Sequence, residues 1–512
     1  MSARLRYDVV VLGGGSAGCV LASRLSEQTD RAVCLVEAGP DYGPFLGGRW
    51  PADLLDARAA PYTHDWGFGD GRSLLRARLV GGCSAHNACF VVWGEPEDYD
   101  EWGEGWSFAA IRPYLERAQR MIETRSVEPE EITPVQHAVI EAAGVAGIPF
   151  LDDLNRLDVT DGIAPVPLNA VGSVRWNAAF AYLDPARSRS NLAILGRTLI
   201  DRVRIRGDIA CAAIVRRGGE VIEIEADLFV LAAGAYGSPA VLLRSGIGPS
   251  EQLRRLSIET ACALPGVGAH LVDHPGVGLQ FALTDEMQHA TARFAQARPL
   301  FKDQCILRAA SRRRPDGCSA LHLVPRTSDV EGGGYRADVG VFVLKPCASG
   351  SVRLRTADPE VLPLVDNGFL SDPGGQDTAL LVEGIELMRS LTRLRPLDRV
   401  VACELDGVCD DDAVSEFARR RVKGYDHPVG SCKMGPESDE FAVVDPDGRV
   451  HGYENLYVAD ASIMPTIPRA NTHLTVLAVA ERIAERLAAR PEPPVVALER
   501  SALERSAHGG DG

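Results

Sequence analysis

The sequence lacks the cysteine spacing that would point to metal or dithiol chemistry. Its 12 cysteines include no Cys-x-x-Cys pair, which is the spacing that a zinc site or a dithiol redox centre would show. We therefore expect neither kind of site. Single, scattered cysteines are typical of small buried hydrophobic residues in a reducing compartment, and this favours a cytoplasmic location.

A long apolar run and an excess of positive charge are also missing. The longest uncharged run, 228–243, is interrupted by Gly234, Gly237 and the Ser238-Pro239 pair, so it predicts a buried strand followed by a helix and excludes a membrane span. The net charge of −16 argues against nucleic acid and anionic membrane surfaces as partners. The amino terminus runs directly into the first predicted strand, so we expect no signal peptide.

What the sequence does have is a glycine-rich unit near its amino terminus. The apolar run 7–12 is typical of a strand buried on both faces. It leads into Gly13, Gly15 and Gly18, then a helical stretch at 19–25 and a second strand at 32–36. Glu37 follows, where an acid can bind ribose hydroxyls. Such glycines let a pyrophosphate approach the helix N-terminus, so the unit predicts dinucleotide binding over a merely structural turn.

The rest of the chain predicts a fold assembled from separated segments. At 512 residues, 46% apolar and 24% charged, the chain is long enough for two or more domains. Buried strands are indicated at 226–233 and 454–461, and an amphipathic helix at 475–490. Alternating patterns such as 351–356 indicate an antiparallel sheet elsewhere.

These patterns predict a discontinuous dinucleotide-binding domain with a second domain inserted in pieces. The expected boundaries are 1–110, 190–275 and 424–490 for the first domain, and 111–189 and 276–423 for the second. The tail 491–512 is rich in Pro, Glu, Ser and Gly, and we expect it to be disordered.

Four further segments carry recognisable motifs: 77–93 (ARLVGGCSAHNACFVVW), 234–248 with 265–275 (GAYGSPAVLLRSGIG, PGVGAHLVDHP), 426–435 (DHPVGSCKMG) and 455–475 (NLYVADASIMPTIPRANTHLT). With the glycine loop, they resemble the glucose–methanol–choline (GMC) family of flavin oxidoreductases, in the family's order. The GGCSAHN stretch is most similar to choline oxidase-like members. The resemblance implies an α/β fold, with a Rossmann-like FAD-binding domain and a discontinuous α+β substrate domain built on an antiparallel sheet. It also implies alcohol oxidation at the interface of the two.

The resemblance places the chemistry on two residues. Alcohol oxidation needs a base within hydrogen-bond reach of the hydroxyl while a hydride passes to flavin N5. His427 occupies the position of the family's catalytic histidine, and histidine titrates near neutrality. Asn471 occupies the partner position, where an amide would stabilise the developing alkoxide. His473 is the alternative partner if the segment aligns two residues differently.

The resemblance also assigns residues to FAD in the glycine loop, the GGCSAHN segment, a later strand and the carboxyl-terminal motif. They are Gly13, Gly15, Ser16, Ala17, Gly18, Glu37, Ala38, Val80, Gly82, Ser84, His86, Asn87, Ala88, Val203, Asp460, Ala461 and His473. Asp460 has a second interpretation as a helix or turn cap. Val203 is expected to contact adenine through backbone groups, and His473 to lie near the flavin pyrimidine at a helix start, where positive charge favours anionic reduced flavin.

His86 carries a sharper hypothesis. In choline oxidase-like members the histidine of this stretch forms a covalent bond to the flavin 8α carbon, so covalent FAD through His86 is one expectation. Most family members hold FAD without such a bond. A non-covalent histidine beside the dimethylbenzene ring is therefore the alternative.

The sequence departs from the aromatic cage that binds quaternary ammonium by cation–π attraction. Asp426 replaces an aromatic residue before His427, His64 falls on another cage position with Trp66 close by, and Lys345 replaces a histidine. We therefore expect a small polar alcohol, such as a polyol, sugar, amino alcohol or hydroxymethyl-bearing metabolite, and not choline. The expected substrate contacts are His64, His322, Lys345 and Asp426. Asp426 would bind an amine and Lys345 would pair with Asp426 or a carboxylate, or both would form surface salt bridges.

Several alternatives stay open on the sequence. The electron acceptor is either oxygen or a quinone or protein acceptor, and a homodimer is one arrangement to consider. A lyase that keeps FAD and cleaves hydroxynitriles shares this fold. A non-catalytic flavin-binding protein is disfavoured, because binding FAD requires neither His427 nor Asn471. A disulfide reductase would need a Cys-x-x-Cys pair and a second glycine motif.

Overall fold

A computed structural model of the protein describes residues 4–58, 60–69, 74–298, 300–407 and 411–490. The tail 491–512 lies outside the described residues, so its disorder stays a prediction. The strands are β1 (Arg4–Leu12), β2 (Val33–Val36), β3 (Thr124–Arg125), β4 (Gly162–Pro165), β5 (Leu168–Val171), β6 (Val174–Arg175), β7 (Leu192–Leu195), β8 (Leu199–Arg206), β9 (Ile209–Arg217), β10 (Glu220–Leu231), β11 (Ile247–Gly248), β12 (Cys262–Ala263), β13 (Pro275–Leu283), β14 (Cys305–Ala309), β15 (Leu321–Asp329), β16 (Tyr335–Val343), β17 (Ser351–Arg353), β18 (Leu364–Asp366), β19 (Val401–Glu404), β20 (Lys423–Gly424) and β21 (Leu456–Val458).

The helices alternate with these strands and are mostly short in the first half of the chain. They are α1 (Ser16–Leu25), α2 (Ala52–Leu55), α3 (Pro96–Asp100), α4 (Phe108–Met121), α5 (Pro134–Val145), α6 (Asp184–Ala186), α7 (Gly234–Arg244), α8 (Ser250–Arg255), α9 (Asp285–Ala297), α10 (Gln376–Thr392), α11 (Asp411–Arg421) and α12 (His473–Ala488). In the described part of the chain, no helix has the length and apolar character needed to cross a membrane.

The first sheet combines strands from the beginning, middle and end of the chain. Its parallel part runs β7-β2-β1-β10-β21, and β9 and β8 continue it in antiparallel fashion from the other half of β10. Helix α1 packs against α12 on this sheet. Since parallel strands end at one edge of a sheet, the loops after β1, β10 and β21 meet there.

The second sheet is antiparallel and has two different faces. Its strand order is β19-β13-β16-β15-β14-β4, and β20 also pairs with β13. Residues such as Leu323 and Val341 pack on one face against α5, α10 and α11. Val324 and Phe342 lie on the other face and pack towards Ala470 and Phe90. The second face is therefore turned towards the segments that carry the predicted site.

The two sheets confirm the predicted fold class of a Rossmann-like parallel sheet with an antiparallel sheet beside it. The predicted element bounds differ in detail. The strand predicted at 226–233 is the end of β10, which starts at Glu220 because its first half forms a hairpin with β9. That half alternates polar and apolar residues, so a search for continuous apolar runs does not find it. Helix α12 starts at His473, two residues before the predicted start.

Candidate active site and cofactor cleft

The loop between β1 and α1 has the backbone that its glycines were expected to provide. Gly13 has a φ of +117°, and a Cβ there would lie 2.4 Å from the Ala232 carbonyl oxygen. A Cβ at Gly18 would lie 1.8 Å from the Gly13 oxygen, so Gly18 allows close packing of the helix on the strand. Neither position accepts a side chain without moving backbone.

Glu37, at the end of β2, stabilises this loop by hydrogen bonds. Its carboxylate accepts hydrogen bonds from the backbone N–H groups of Gly14 and Gly39, each at 2.8 Å. Burial raises the pKa of Glu37 to about 7, and the N–H groups of Gly39 and Gly14 oppose that rise. The acid is therefore fixed beside the loop where a ribose would lie.

A cleft opens at the edge where the three loops of the parallel sheet meet. Nine of the predicted FAD residues line it: Gly13, Gly15, Ser16, Ala17, Glu37, Ala38, Gly82, Asp460 and Ala461. Trp66, Phe68, Arg76, Cys83 and Tyr236 also line it, and sequence reasoning had not assigned them. The cleft is thus long, and it begins at a helix N-terminus suited to a pyrophosphate.

Other predicted cofactor residues support the cleft wall from behind. Ser84 donates to the Gly81 carbonyl at 2.6 Å and accepts from the Ala178 N–H at 2.9 Å, which leaves it little capacity for a ligand. Val80 is fully buried, and the Asn87 side chain accepts from the Cys89 N–H. Ala88 packs towards the face of the second sheet that carries Phe342.

The strand expected to contact adenine, 199–205, reaches the cleft with its first two residues and not with Val203. Leu199 and Ile200, at the start of β8, line the cleft. The Val203 N–H instead donates to Ser245 Oγ at 2.8 Å, and its strand pairs with β9. Three residues along a strand cover about 10 Å, so Val203 lies away from the cleft that its neighbours line.

Asp460 fulfils the alternative interpretation of a cap while also lining the cleft. Its carboxylate accepts from the Ser462 N–H and Oγ, from the Gly234 N–H and from Ser238 Oγ, at 2.5–2.8 Å. Burial raises its pKa, and the four donors lower it. Asp460 therefore joins the loops after β10 and β21.

His86 is buried and His473 is half-buried, and both have buried ring nitrogens that are unsatisfied. His86 is 7% exposed, and its Nδ1 has no hydrogen-bond partner among the described residues; the same holds for both ring nitrogens of His473. Burial lowers the pKa of His473 to about 4. Such orphaned groups require a ligand or water to satisfy them.

Cys83 lies beside His86 in an electropositive part of the cleft. The Arg76 guanidinium approaches its sulfur to 3.8 Å. Burial would raise the pKa of Cys83, but His86 and Arg76 together lower it to about 6. This corner of the cleft therefore favours negative charge.

The two predicted catalytic side chains contact each other. Asn471 Nδ2 lies 3.1 Å from His427 Nε2, and His427 Nδ1 lies 3.0 Å from Nδ1 of His274. The Asp273 carboxylate accepts the His427 backbone N–H at 2.9 Å. His427 is thus held at both ring nitrogens and at its backbone.

The hydrogen-bond chain determines the tautomer of each ring. His274 Nε2 lies 3.1 Å from the Pro468 carbonyl oxygen, which only accepts, so Nε2 carries the proton and Nδ1 of His274 is an acceptor. His427 Nδ1 must then donate to it. His427 Nε2 is left with a lone pair directed at the Asn471 amide, which is the arrangement that a general base needs.

Both histidines are held neutral. Burial lowers the pKa of His274 to about 3. Burial also lowers the pKa of His427 well below its usual value, and His274 and Arg76 lower it further. His427 is nevertheless half-buried, so its ring is not enclosed in packed core.

Of the predicted substrate residues, His322 lies in the same cluster. It is fully buried on β15, with both ring nitrogens unpartnered among the described residues. Its ring centre lies 6.3 Å from that of Tyr425, which in turn lies 4.3 Å from His427. Tyr425 stacks on Phe342 at 3.6 Å. Sequence reasoning missed Tyr425 and Phe342.

The other three predicted substrate residues have protein partners. His64 contacts Tyr42 Oη at 2.7 Å, and Trp66 and Phe68 are the residues of that segment that line the cleft. Asp426 forms an ion pair with Arg76 at 3.3 Å. Lys345 contacts Asp98, Glu101, Thr466 Oγ1 and the Ile467 carbonyl. Its three N–H groups are used within the protein, so Lys345 pairs with carboxylates and is not available to a substrate.

His274 is the functional residue that sequence reasoning overlooked. It belongs to the DHP end of the segment 265–275, which was quoted as a family motif, so a signal existed. What the sequence does not show is that β13 and the loop before Asn471 bring His274 against His427.

Comparison with known proteins gives a consistent result along the whole chain. The profile described as GMC oxidoreductase matches in two parts, the amino-terminal part at residues 7–276 and the carboxyl-terminal part at residues 346–480. The chain is 34% identical to the 5-(hydroxymethyl)furfural oxidase of Methylovorus sp. (strain MP688), covering 94% of this chain and 98% of that protein.

Two further relatives show the spread of similar proteins. The oxygen-dependent choline dehydrogenase of Pseudomonas syringae pv. tomato is 31% identical over 96% of this chain and 95% of its own length. Among solved structures, pyridoxine 4-oxidase from Mesorbium loti superimposes with a TM-score of 0.82 at 27% identity, covering 94% of this chain and 99% of that one.

Proposed function

Because the chain belongs to the GMC oxidoreductase family, we propose that it oxidises a ring-bearing primary alcohol to the aldehyde with His427 as the base. The enzyme is an FAD-dependent oxidoreductase that acts on CH–OH groups. The observation that carries the residue-level proposal is the chain Pro468–His274–His427–Asn471, which leaves the His427 Nε2 lone pair directed at an amide donor.

The residues of the cleft fit FAD. A Cβ at Gly82 would lie 2.5 Å from Gly15 Cα. The two glycine segments therefore approach each other so closely that no side chain fits between them, which leaves their backbone exposed to a ligand. His86 Nδ1 and both ring nitrogens of His473 are buried polar atoms without partners among the described residues. They are available to the polar edges and ring substituents of a flavin.

When bound, FAD supplies the acceptor for the hydride. The protein residues accept the hydroxyl proton and stabilise the alkoxide charge. An alcohol oxygen that enters between His427 and Asn471 donates its proton to His427 Nε2 and accepts a hydrogen bond from the Asn471 amide. The amide stabilises charge as it develops on that oxygen. His427 Nδ1–H keeps its bond to His274, so the ring stays oriented as its charge changes.

Two relatives support the substrate class, one found by sequence at 34% identity and one a solved structure at 27% identity. The relatives named for 5-(hydroxymethyl)furfural and for pyridoxine act, by those names, on ring-bearing compounds. The partial replacement of the aromatic cage argues against choline, and Asp426 is neutralised by Arg76.

We propose oxygen as the electron acceptor, with a quinone or protein acceptor as the alternative.

We also propose the domain division 1–110, 190–275 and 424–490 against 111–189 and 276–423, because the strands of the two sheets follow it.

We propose a cytoplasmic location from the state of the cysteines. Those in the described part of the chain are all free thiols, as expected in a reducing compartment.

The test of the proposed base uses the holoenzyme and His427→Ala. We expect kcat/KM for 5-(hydroxymethyl)furfural to fall roughly 10²–10⁴-fold, the worth of a positioned acid–base group, while FAD stays bound. The matched control is His289→Ala, because His289 is exposed on α9. Anaerobic substrate should bleach the flavin of the wild type, which a lyase would not show. Wild-type rates in His427→Ala would refute the assignment.

Covalent attachment of FAD through His86 is a separate proposal. His86 is buried next to Cys83, which lines the cleft, and its Nδ1 has no hydrogen-bond partner in the described part of the chain. Acid precipitation of the wild type should leave the flavin in the pellet, and that of His86→Ala should release it. Release from the wild type would favour the non-covalent alternative.

A further inference from the structure

The face of the second sheet that looks towards the active site carries a row of three side chains on neighbouring strands. In the register of the sheet, Arg308 of β14 is opposite His322 of β15, and His322 is opposite Phe342 of β16. Their neighbours Leu307, Leu321 and Val341 belong to the core on the other face. Because successive residues alternate between faces, the row Arg308–His322–Phe342 lies on the face of the site.

Phe342 connects this row to the catalytic histidine. A Cβ on Gly276 or Gly340 would lie within 2.1 or 2.5 Å of the Phe342 ring, so the two glycines let the ring lie flat on the sheet. Tyr425 stacks on it with ring centres 3.6 Å apart and planes 4° apart. His427 follows at 4.3 Å from Tyr425. The row Arg308–His322–Phe342 therefore leads away from His427, with Phe342 as its nearest member.

Polar atoms in this region lack partners among the described residues. They are both ring nitrogens of His322, Oη of Tyr425 and Oδ1 of Asn471. Asn471 lowers the pKa of Tyr425 against the rise caused by burial, so their side chains are close, without hydrogen-bond geometry. A buried polar group without a partner costs about 1–3 kcal/mol. Several such groups beside the catalytic pair mark a place built for a polar ligand.

The hydrogen-bonding groups along the row limit what that ligand can be. Arg308 is 3% exposed, and its Nη2 donates to the carbonyls of Arg156 and Val159. No carboxylate of the described residues lies within ion-pair distance, and its Nε has no partner there. Burial, His274 and Arg308 lower the pKa of His322 well below its usual value, so the imidazole is neutral. Four carboxylates also act on Arg308, those of Glu95, Asp153, Asp161 and Asp158, so its charge is offset. The N–H of the neutral His322 ring and the O–H of Tyr425 remain as donors for an oxygen acceptor of a ligand.

We propose that His322 and Tyr425 form a second subsite that binds an acceptor oxygen, carbonyl or carboxylate, on the far side of the substrate ring from its hydroxymethyl group. The inference rests on the proposed function, since it takes His427 and Asn471 as the site of the alcohol. It makes His322 a residue that determines specificity.

The test compares substrates that differ only at the far position. Furfuryl alcohol, 5-(hydroxymethyl)furfural and 5-hydroxymethyl-2-furoate share a ring and a hydroxymethyl group, and carry hydrogen, formyl and carboxylate respectively. We expect the wild-type holoenzyme to prefer one acceptor-bearing substrate over furfuryl alcohol by roughly tenfold or more in kcat/KM. In His322→Leu that ratio should fall towards one, and in the control His289→Leu it should not change. Preference for formyl or for carboxylate identifies which acceptor the subsite takes.

A binding measurement separates the subsite from the reaction. 2-Furaldehyde has the ring and the acceptor but no hydroxymethyl group, and its binding is followed anaerobically by perturbation of the flavin spectrum. We expect a dissociation constant roughly tenfold higher in His322→Leu. Equal binding to both proteins, or a wild type without substrate preference, would overturn the subsite. Failure of every alcohol to bleach the flavin, with 2-furaldehyde binding still dependent on His322, would instead overturn the proposed reaction and leave the subsite standing.

Discussion

His427 obtains its chemistry from its neighbours. Imidazole alone has two tautomers, and only the form with a proton on Nδ1 presents a base at Nε2. The Pro468 carbonyl selects that form indirectly, because it fixes the proton of His274 on Nε2 and so makes His274 an acceptor for His427. His274 is thus a positioning residue that acts through His427.

Substitution of His274 should change the pH profile as well as the rate. The folded pKa of His427 lies well below its usual value, with burial the largest cause and His274 the next. Wild-type kcat/KM should therefore stay level as pH falls through 6.5 and decline only at lower pH. His274→Leu should lower kcat/KM roughly tenfold or more and shift the acid limb, because the Nδ1–H of His427 loses its acceptor.

His274→Asn, which keeps an acceptor for His427, should recover part of that rate. The measurement is kcat/KM against pH for all three proteins, with FAD content as the control for folding. An unchanged acid limb in His274→Leu would contradict the positioning role.

At this scale the sequence predicted single residues better than their partners. His427 and Asn471 were identified from short local motifs, and the structure brings them into contact. For Lys345, the contacts follow the salt-bridge interpretation and not the substrate one. The sequence did not decide between the two, because the partners come from α3 and from 466–467, far away in sequence. Tyr425, adjacent to a quoted motif, gave no signal of its own, because its significance lies in stacking on Phe342 of another strand.

At the scale of elements, the glycine loop was predictable because its chemistry is local. Gly13 and Gly18 are required by backbone contacts within one strand–loop–helix unit, and such contacts have a fixed spacing in sequence. The start of β10 was not predictable in the same way, since it depends on pairing with β9. Val203 shows the same limit, because the direction of β8 relative to the cleft follows from the whole sheet.

At the scale of the molecule, Lys345 joins parts of the chain that build different walls of the site. It follows β16 of the second sheet and contacts Asp98 of α3 and the segment 466–467 that leads to Asn471. Asp98 is fully buried and also pairs with Arg469 at 2.6 Å. This ion network holds the Asn471 loop between the two sheets.

Removal of the Lys345 ammonium should destabilise the holoenzyme. In Lys345→Met, Asp98 keeps only Arg469 as a cationic partner, and loss of one member of a buried network costs on the order of 3 kcal/mol. We expect the Tm, followed by release of flavin fluorescence, to fall by roughly 5 °C or more. Lys302→Met is the matched control, because Lys302 forms a surface pair with Asp329 at 3.5 Å. Equal Tm values for the two variants would show that the network contributes little.

The composition of the first sheet also determines when the enzyme can become active during its own production. A ribosome completes β1 and the glycine loop early, but β21, which pairs with β10, and α12, which covers α1, are made last. Until then, the nascent chain has the glycine loop after β1 but lacks the loop after β21 on the other side of the cleft. The apolar side of α1 is not yet covered by α12. We therefore expect FAD uptake to follow the synthesis of α12, since the cofactor cleft is incomplete before then.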